Sequence, residues 1–237
     1  MTSTVADLLP ALGLRVVAGP VELRGLGDDD LGTLADLAAE GIHPADRMPF
    51  YHPWTDTDPD TLRRRMAQYQ WRCRADFSPE SWELNLGVWH EGTLVGTQGI
   101  STRDYLVTRT GETGSWLGLA HQGKGIGTMM RRAICAFAFD HLDAEEVTSG
   151  AFTDNAASLA VSRKVGYRLG GQKRLRRREG ELAVNQQLVL LPEDLVRGDH
   201  PVTVEGLPAF RRSIGLDTED SPDRSPDRSP DSTEETP

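Results

Sequence analysis

The chain has 237 residues, of which 38% are hydrophobic and 26% are charged, a composition typical of a globular protein that can bury a core. The formal net charge is -10, and eight acidic against two basic residues after Gly215 contribute -6 of it, leaving -4 for the body. A mildly acidic body excludes general attraction to a phosphate backbone, so we expect no nucleic-acid partner.

Residues 1–20 form an N-terminal extension with no basic segment before its apolar stretch, and no run of 18 apolar residues occurs in the chain. We therefore expect a cytoplasmic protein that does not associate with membranes. Residues 21–25 alternate as a short strand. The three aspartates at 28–30 then predict the start of a helix that continues to about residue 42.

Residues 41–59 contain prolines that exclude regular structure, together with the aromatic side chains Tyr51, His52 and Trp54. A rigid aromatic loop of this kind either covers an acyl and acceptor pocket or only packs on the sheet. Pro59 then opens a second helix that reaches about Asp76, with apolar residues at three- to four-residue spacing.

The remaining pattern alternates between strands and helices, which predicts an α+β domain built on a mixed sheet. We predict strands at 82–90, 93–101, 114–119 and 146–152, helices at 125–141 and 155–164, and a closing hairpin of 167–176 with 183–191. Residues 192–215 retain enough apolar residues to dock on the body. Residues 216–237 contain the repeat SPDRSPDRSPD, which cannot bury a core and indicates a disordered acidic tail.

The two cysteines, Cys73 and Cys135, lie 62 positions apart and belong to no CxxC pair or histidine cluster. We therefore expect free thiols, no disulfide and no metal site.

The segment from Ser115 to Thr128 runs from a strand through a glycine-rich turn into a helix. Its three glycines, Gly123, Gly125 and Gly127, allow backbone N–H groups to approach an anion at the positive end of a helix, which indicates a pyrophosphate site. The spacing matches neither the Rossmann fingerprint nor the Walker P-loop. A glycine-rich turn without a ligand remains the alternative.

Two motifs together resemble the GNAT acyltransferases. Gln122-Gly-Lys-Gly-Ile-Gly is similar to their pyrophosphate loop, and Asp154-Asn155-Ala-Ala-Ser158 through to Gly166-Tyr167 is similar to the helix that follows in that family. The resemblance covers residues 21–191 and is strongest to the RimJ/RimL-like branch. Within that branch, residues 41–50 and 53–55 resemble an actinobacterial subgroup that uses acetyl-CoA or succinyl-CoA.

The resemblance implies a GNAT fold, in which helices flank a splayed, mostly antiparallel sheet and coenzyme A enters where the strand ending at Leu119 diverges from that of residues 147–152. Backbone groups of four residues would pair with the pantetheine: Trp116, Leu117, Gly118 and Leu119. N–H groups of seven residues would hold the pyrophosphate: Gln122, Gly123, Lys124, Gly125, Ile126, Gly127 and Thr128. Asn155 would also bind the pantetheine.

Amide formation needs a neutral amine, a polarised carbonyl and a proton for the departing thiolate. Many GNAT enzymes supply that proton from a tyrosine seven residues after the asparagine, where this chain has Ser162. The resemblance favours Ser158 as the hydrogen-bond donor to the sulfur. The candidates for the general base are Glu112, Glu83, His43, His52 and His121, and the alternative is that the amine loses its proton to water before it binds.

The sequence therefore predicts an N-acyltransferase that moves an acetyl or succinyl group from acyl-CoA to an amine of a protein or small molecule. The alternative is a CoA-binding sensor without turnover, which the serine at position 162 favours. The basic run 173–178 would attract an acidic acceptor or a CoA phosphate, or would be a solvated hairpin edge. Family analogy alone makes a homodimer one option for the oligomeric state, with residues 201–214 and the closing hairpin as the candidate contact.

Overall fold

The computed structural model describes residues 2–217. Its helices are α1 (Val5–Leu8), α2 (Asp28–Glu40), α3 (Pro59–Ala75), α4 (Tyr105–Thr108), α5 (Ile126–His141), α6 (Ala156–Val165) and α7 (Leu207–Ser213). Its strands are β1 (Arg15–Ala18), β2 (Val21–Gly25), β3 (Ser81–His90), β4 (Thr93–Arg103), β5 (Thr110–Leu117), β6 (Glu146–Phe152), β7 (Arg168–Arg178), β8 (Glu181–Leu190) and β9 (Thr203–Glu205). Short 3-10 turns lie at Pro10–Gly13, Leu119–His121 and Pro192–Asp194.

The strands form a sheet in the order β7-β8-β6-β5-β4-β3-β2-β1-β9. Every neighbouring pair is antiparallel except β5 and β6, which run parallel. A parallel pair needs a crossover connection, and α5 provides it. The predicted α+β class with a mostly antiparallel sheet is confirmed.

Each face of the sheet carries its own hydrophobic cluster. Leu117 packs with α5 in one cluster, whereas its neighbour Trp116 packs against the cluster of α2 and α3 on the other face. Successive residues of a strand point to opposite faces, so α5 lies on one side of the sheet, and α2 and α3 lie on the other.

The structure corrects three boundaries. Residues 15–18, predicted within an extension, form β1, which pairs with both β2 and β9, so the sheet begins before residue 21. The strand predicted at 114–119 begins at Thr110 and ends at Leu117, which places Glu112 inside β5 and not before it. The cap of α2 is Gly27, whose N–H donates to the side chain of Asp30 at 2.8 Å.

The segment after β8 folds back on the body. β9 pairs with β1, and Phe210 of α7 is buried against Trp82 and Phe137. Residues 218–237, which make up nearly all of the predicted acidic tail, lie outside the described residues. None of the helices in residues 2–217 is long and apolar enough to span a membrane.

Candidate functional site

The parallel strands β5 and β6 separate partway along their length. Their pairing runs only from Thr110 with Glu146 to Thr113 with Ser149. Beyond that point β5 stays paired with β4 up to Leu117, and β6 stays paired with β8 up to Phe152. We call the gap between residues 114–117 and residues 150–152 the fork, and its closed end lies at Thr113 and Ser149.

Backbone groups of β5 face into the fork. The N–H of Gly118 donates to the carbonyl of Val95 on β4 at 3.0 Å, so strand alternation turns the N–H groups of Ser115 and Leu117 away from β4 and toward the gap. The N–H of Leu119 donates to the carbonyl of Gly41 at 3.0 Å. Of the four residues predicted to pair with pantetheine, Gly118 and Leu119 therefore already use their N–H groups within the protein, and the same alternation turns the N–H of Trp116 toward β4. Of these four, only Leu117 directs its N–H into the fork.

The glycine-rich turn lies at the open end of the fork, at the start of α5. Gly123 and Gly125 have φ values of 73° and 85°, which only glycine adopts without strain. Among residues 2–217, the N–H groups from Gly123 through Gly127 meet no protein acceptor, whereas those of Gln122 and Thr128 donate to carbonyls of Leu119 and Gly125. The turn thus offers five adjacent N–H groups at the positive end of a helix, an arrangement suited to a phosphate.

The side chain of Gln122 has a structural task that the sequence did not indicate. Its amide nitrogen donates to the carbonyl of Ile42 at 2.7 Å and to the carbonyl of Leu117 at 2.8 Å. These bonds tie the loop that follows α2 to the last residue of β5.

Asn155 and Ser158 lie at the start of α6, which packs on α5. The Asn155 side-chain oxygen accepts from the N–H of Ser158 at 3.1 Å and so caps the helix, which leaves the amide NH2 of Asn155 for a ligand. Ser158 is half-buried, whereas Ser162, one turn later, is fully buried and its hydroxyl has no partner among the described residues. Ser158 is therefore the more accessible of the two hydroxyls.

The loop of residues 41–58 has no regular structure, as predicted, and it contacts both strands of the fork. Tyr51 stacks on Phe152 of β6 with ring centroids 6.2 Å apart, and Trp54 contacts Trp116 of β5 at 6.1 Å. Tyr51 and His52 remain exposed. The loop thus covers the fork on the α2 and α3 side of the sheet.

A cleft with a volume of about 890 Å³ lies on that same side, between α3 and the central strands. Glu83 and Glu112 both line it. The Tyr69 hydroxyl donates to the Glu83 carboxylate, whereas the Glu112 carboxylate makes no ion pair or side-chain hydrogen bond within residues 2–217. Glu112 is the register partner of Thr148, one residue before the closed end of the fork, so the cleft meets the fork where the strands begin to separate.

The other predicted candidates have separate locations. His43 is held by the carbonyl of Pro44 at 2.8 Å and the hydroxyl of Thr55 at 2.7 Å, while His121 lies in the turn after β5. In the basic run, Lys173, Arg174 and Arg176 are exposed, whereas Arg177 pairs with Asp154 and Glu181.

Both thiols are free. Burial raises the pKa of Cys73 to about 12 and that of Cys135 to about 11, so neither is a reactive thiolate near neutral pH. Within residues 2–217, no group of three or more His, Cys, Asp or Glu side chains is arranged to hold a metal.

A buried polar cluster behind the fork was missed by the sequence analysis. It comprises Gln98, Thr113, Arg131 and Ser149, all at most 6% exposed, with Ser115 at its edge. The only sequence signal was an arginine beside the apolar stripe of the helix predicted at 125–141.

The chain is similar to known acetyltransferases in sequence. A family model described as an acetyltransferase (GNAT) domain matches residues 21–168. The Bacillus subtilis (strain 168) protein YdaF, named a ribosomal N-acetyltransferase, is 27% identical over 154 residues, which are 65% of this chain and 81% of YdaF.

Solved structures share the fold. One named a probable acetyltransferase has a TM-score of 0.58 at 25% identity and covers 74% of this chain and 94% of its own. RimL, a ribosomal L7/L12 alpha-N-protein acetyltransferase in complex with coenzyme A, has a TM-score of 0.59 at 16% identity. The match covers 74% of this chain and 96% of the RimL chain. Mycobacterium smegmatis RimJ in complex with CoA-disulfide has a TM-score of 0.58 at 18% identity. The match covers 84% of this chain and 92% of the RimJ chain.

Proposed function

Because the chain belongs to the GNAT acetyltransferase family, we propose that it transfers an acyl group from acyl-CoA to an amine by direct attack on the thioester. The observation that carries this proposal is the fork between β5 and β6, which opens next to five N–H groups that meet no acceptor in the described part of the chain. Acetyl-CoA and succinyl-CoA are the two donors to test, because the sequence resemblance leaves the acyl group open.

The donor would lie in the fork with its pyrophosphate at the N–H groups of residues 123–127. Ser115 and Leu117 direct backbone groups into the gap, and the free amide of Asn155 stands at the start of α6. Five N–H donors at a helix start suit a diphosphate, since this is how many phosphate sites are built. The fork supplies hydrogen-bonding groups for the amide-containing arm.

The reaction joins the amine nitrogen to the acyl carbon, breaks the carbon–sulfur bond and leaves the electron pair on sulfur. Glu112 would accept the proton that the amine loses, because its carboxylate has no ion-pair partner among residues 2–217 and lines the cleft that meets the closed end of the fork. Ser158 would donate a hydrogen bond to the departing sulfur. Ser162 is enclosed by protein and would have no part in this step.

The acceptor would enter through the cleft of Glu112, with Tyr51, His52 and Trp54 covering the acyl end. The names of YdaF and RimL make the N-terminal amine of a ribosomal protein the first acceptor to test. A small-molecule amine is the second. We expect a cytoplasmic enzyme without metal, nucleic-acid or membrane partner, and a homodimer, which a solution mass measurement would check.

A specific observation favours one competing function, a CoA-binding protein without turnover. The position at which many family members carry a proton-donating tyrosine is occupied by Ser162, which is fully buried. In that case the fork would bind acyl-CoA and nothing would be transferred.

Release of free thiol separates the two functions. The purified chain is offered acetyl-CoA or succinyl-CoA with ribosomal N-terminal peptides and a mixed amine library, and free thiol is measured over time. We expect acceptor-dependent release that is lost in Glu112→Gln and Ser158→Ala and retained in Glu83→Gln. If the chain binds acyl-CoA but releases no free thiol with any acceptor, the non-catalytic function is established.

A further inference from the structure

Arg131 of α5 is a buried cation located directly behind the fork. Arg131 exposes only 5% of its surface to solvent. One terminal nitrogen donates to the Ser115 hydroxyl at 2.9 Å, and the other donates to the Ser149 hydroxyl at 3.1 Å. Ser115 lies on β5 and Ser149 on β6, so a single guanidinium connects the two strands that separate to form the fork.

The charge of Arg131 has no anionic partner among the described residues 2–217. Its third donor, Nε, reaches the amide oxygen of Gln98 at 3.4 Å, and its guanidinium lies 6.0 Å from the ring centroid of Tyr167. Every one of these groups is neutral, and none of the ion pairs formed among residues 2–217 includes Arg131.

The guanidinium of an arginine carries a positive charge in proteins, so a cation is buried at this site. Burying a cation without a counter-ion is costly. Hydrophobic residues of similar volume would fill the space between α5 and the sheet at lower cost. A buried cation with only neutral neighbours is suited to a site at which negative charge appears during a reaction.

Ser115 provides the connection between the buried guanidinium and the fork. It is half-buried, and it lies two residues beyond Thr113, the last β5 residue that pairs with β6. Since its oxygen accepts from Arg131, its own O–H is oriented away from the guanidinium and is available as a donor. A cation on the acceptor side polarises that O–H and strengthens the bond it donates.

We propose that Arg131 is a positioning residue that stabilises the thiolate of coenzyme A through the Ser115 hydroxyl. This inference rests on the proposed function, which sets the pyrophosphate at residues 123–127 and therefore the thiol at the inner end of the fork, toward Ser115. The acyl thioester is neutral, and negative charge appears on sulfur only when the carbon–sulfur bond breaks and sulfur retains the electron pair. Arg131 supplies charge for that moment and gives up no proton.

The experiment measures the thiol pKa of bound coenzyme A, so it needs no acceptor. Coenzyme A is added to the full chain, and the ultraviolet absorbance of the thiolate is followed against pH. An identical series with desulfo-CoA is subtracted, which removes the signal of protein groups. The variants are Arg131→Met and Ser115→Ala, and the matched control is Arg132→Met, which removes the same charge from the neighbouring residue outside the fork.

We expect bound coenzyme A to have a lower thiol pKa than free coenzyme A in the unaltered protein. Arg131→Met should raise that pKa by about one unit, since a unit charge at this range in a partly buried site has an effect of that order. Ser115→Ala should produce most of the same rise with the fold intact, and Arg132→Met should produce none.

Several results would overturn the inference. A thiol that titrates at the same pH in the unaltered protein and in Arg131→Met, with coenzyme A still bound to both, removes the thiolate role. A depressed thiol pKa that persists in Ser115→Ala removes the connection through Ser115. Loss of succinyl-CoA binding alone in Arg131→Met, with an unchanged thiol pKa, assigns the charge to the acyl carboxylate. Failure of the unaltered protein to bind coenzyme A refutes the proposed function itself.

Discussion

The side-chain amide of Gln122 donates a hydrogen bond to the main-chain carbonyl of Ile42 at 2.7 Å, 80 residues earlier in the chain. The same nitrogen donates to Leu117 at the end of β5. One side chain therefore holds the start of the aromatic loop against the strand that forms one wall of the fork. The glutamine of the motif is explained by loop attachment, and the adjacent glycines fit the proposed phosphate site.

Gln122→Glu should loosen this attachment, because a carboxylate cannot donate to two carbonyl oxygens and would be repelled by them. We expect the free energy of unfolding to fall by about 1–2 kcal/mol and the KM for acyl-CoA to rise. Urea unfolding and steady-state kinetics measure the two effects. Gln172→Glu, on the outer strand β7, is the control and should leave KM unchanged; equal KM values for both variants would contradict the attachment.

Gly125→Ala should weaken binding of acyl-CoA more than its effect on stability explains. A Cβ at this position meets no atom of residues 2–217 within 4 Å, but its φ of 85° is unfavourable for alanine, at a cost of about 1–2 kcal/mol. Gly180→Ala, in the β7–β8 turn with φ of 71° and equally open space, should cost the same stability. Calorimetric titration should show at least about a tenfold loss of affinity for acyl-CoA only in Gly125→Ala. Equal affinities of the two variants for acyl-CoA would mean that its phosphates do not bind at the glycine-rich turn.

Ser158→Ala and Ser162→Ala should differ in both activity and stability. Ser162→Ala removes a buried hydroxyl that has no partner in residues 2–217, so its free energy of unfolding should be unchanged or higher by up to about 1 kcal/mol, with normal turnover. Ser158→Ala should bind acyl-CoA and lose turnover. Chemical denaturation and thiol release measure these outcomes, and full turnover in Ser158→Ala would remove Ser158 from the mechanism.

His141, half-buried at the end of α5, should make the protein less stable in acid. Burial lowers the pKa of His141, with a smaller contribution in the same direction from Arg211 and an opposing one from Asp140. The unfolded chain therefore binds the proton at a higher pH than the folded chain. The free energy of unfolding then falls as pH drops through the ordinary histidine value of about 6.5.

His141→Asn isolates this contribution from that of other titrating groups. We subtract the free energy of unfolding of the variant from that of the unaltered protein, both measured by urea unfolding. This difference should be more positive at pH 7.5 than at pH 5.5. A difference that is the same at both pH values would show that His141 does not titrate differently on folding.

Periodicity in the sequence predicted α3, α5 and the β3–β4 hairpin, because each has a long and regular apolar pattern. It missed β1 and β9, which are three or four residues long and pair with each other across nearly 190 positions. No local pattern encodes the pairing of β9 with β1. β1 also forms a local hairpin with β2, from Ala18 opposite Val21 to Arg15 opposite Arg24, and it was missed because four residues are too short for a clear alternation.

The sequence predicted those features of the candidate site that depend on main-chain conformation. Gly123 and Gly125 adopt positive φ as the glycine-rich turn implied. The sequence could not predict that Glu83 accepts a hydrogen bond whereas Glu112 does not. Tyr69 of α3 donates to Glu83 only once the helix packs on the sheet. Arg131 was missed for a similar reason, since its partners come from three separate strands.

Native mass spectrometry of the purified protein, with acetyl-CoA, succinyl-CoA and NAD offered together, tests the central claim most directly. The account predicts retention of one acyl-CoA per chain, strongly reduced in Gly125→Ala and preserved in Gly180→Ala, and the retained species identifies the acyl group. Retention of NAD, or of none of the three, would contradict it and would mean that the fork and its glycine-rich turn do not form an acyl-CoA site.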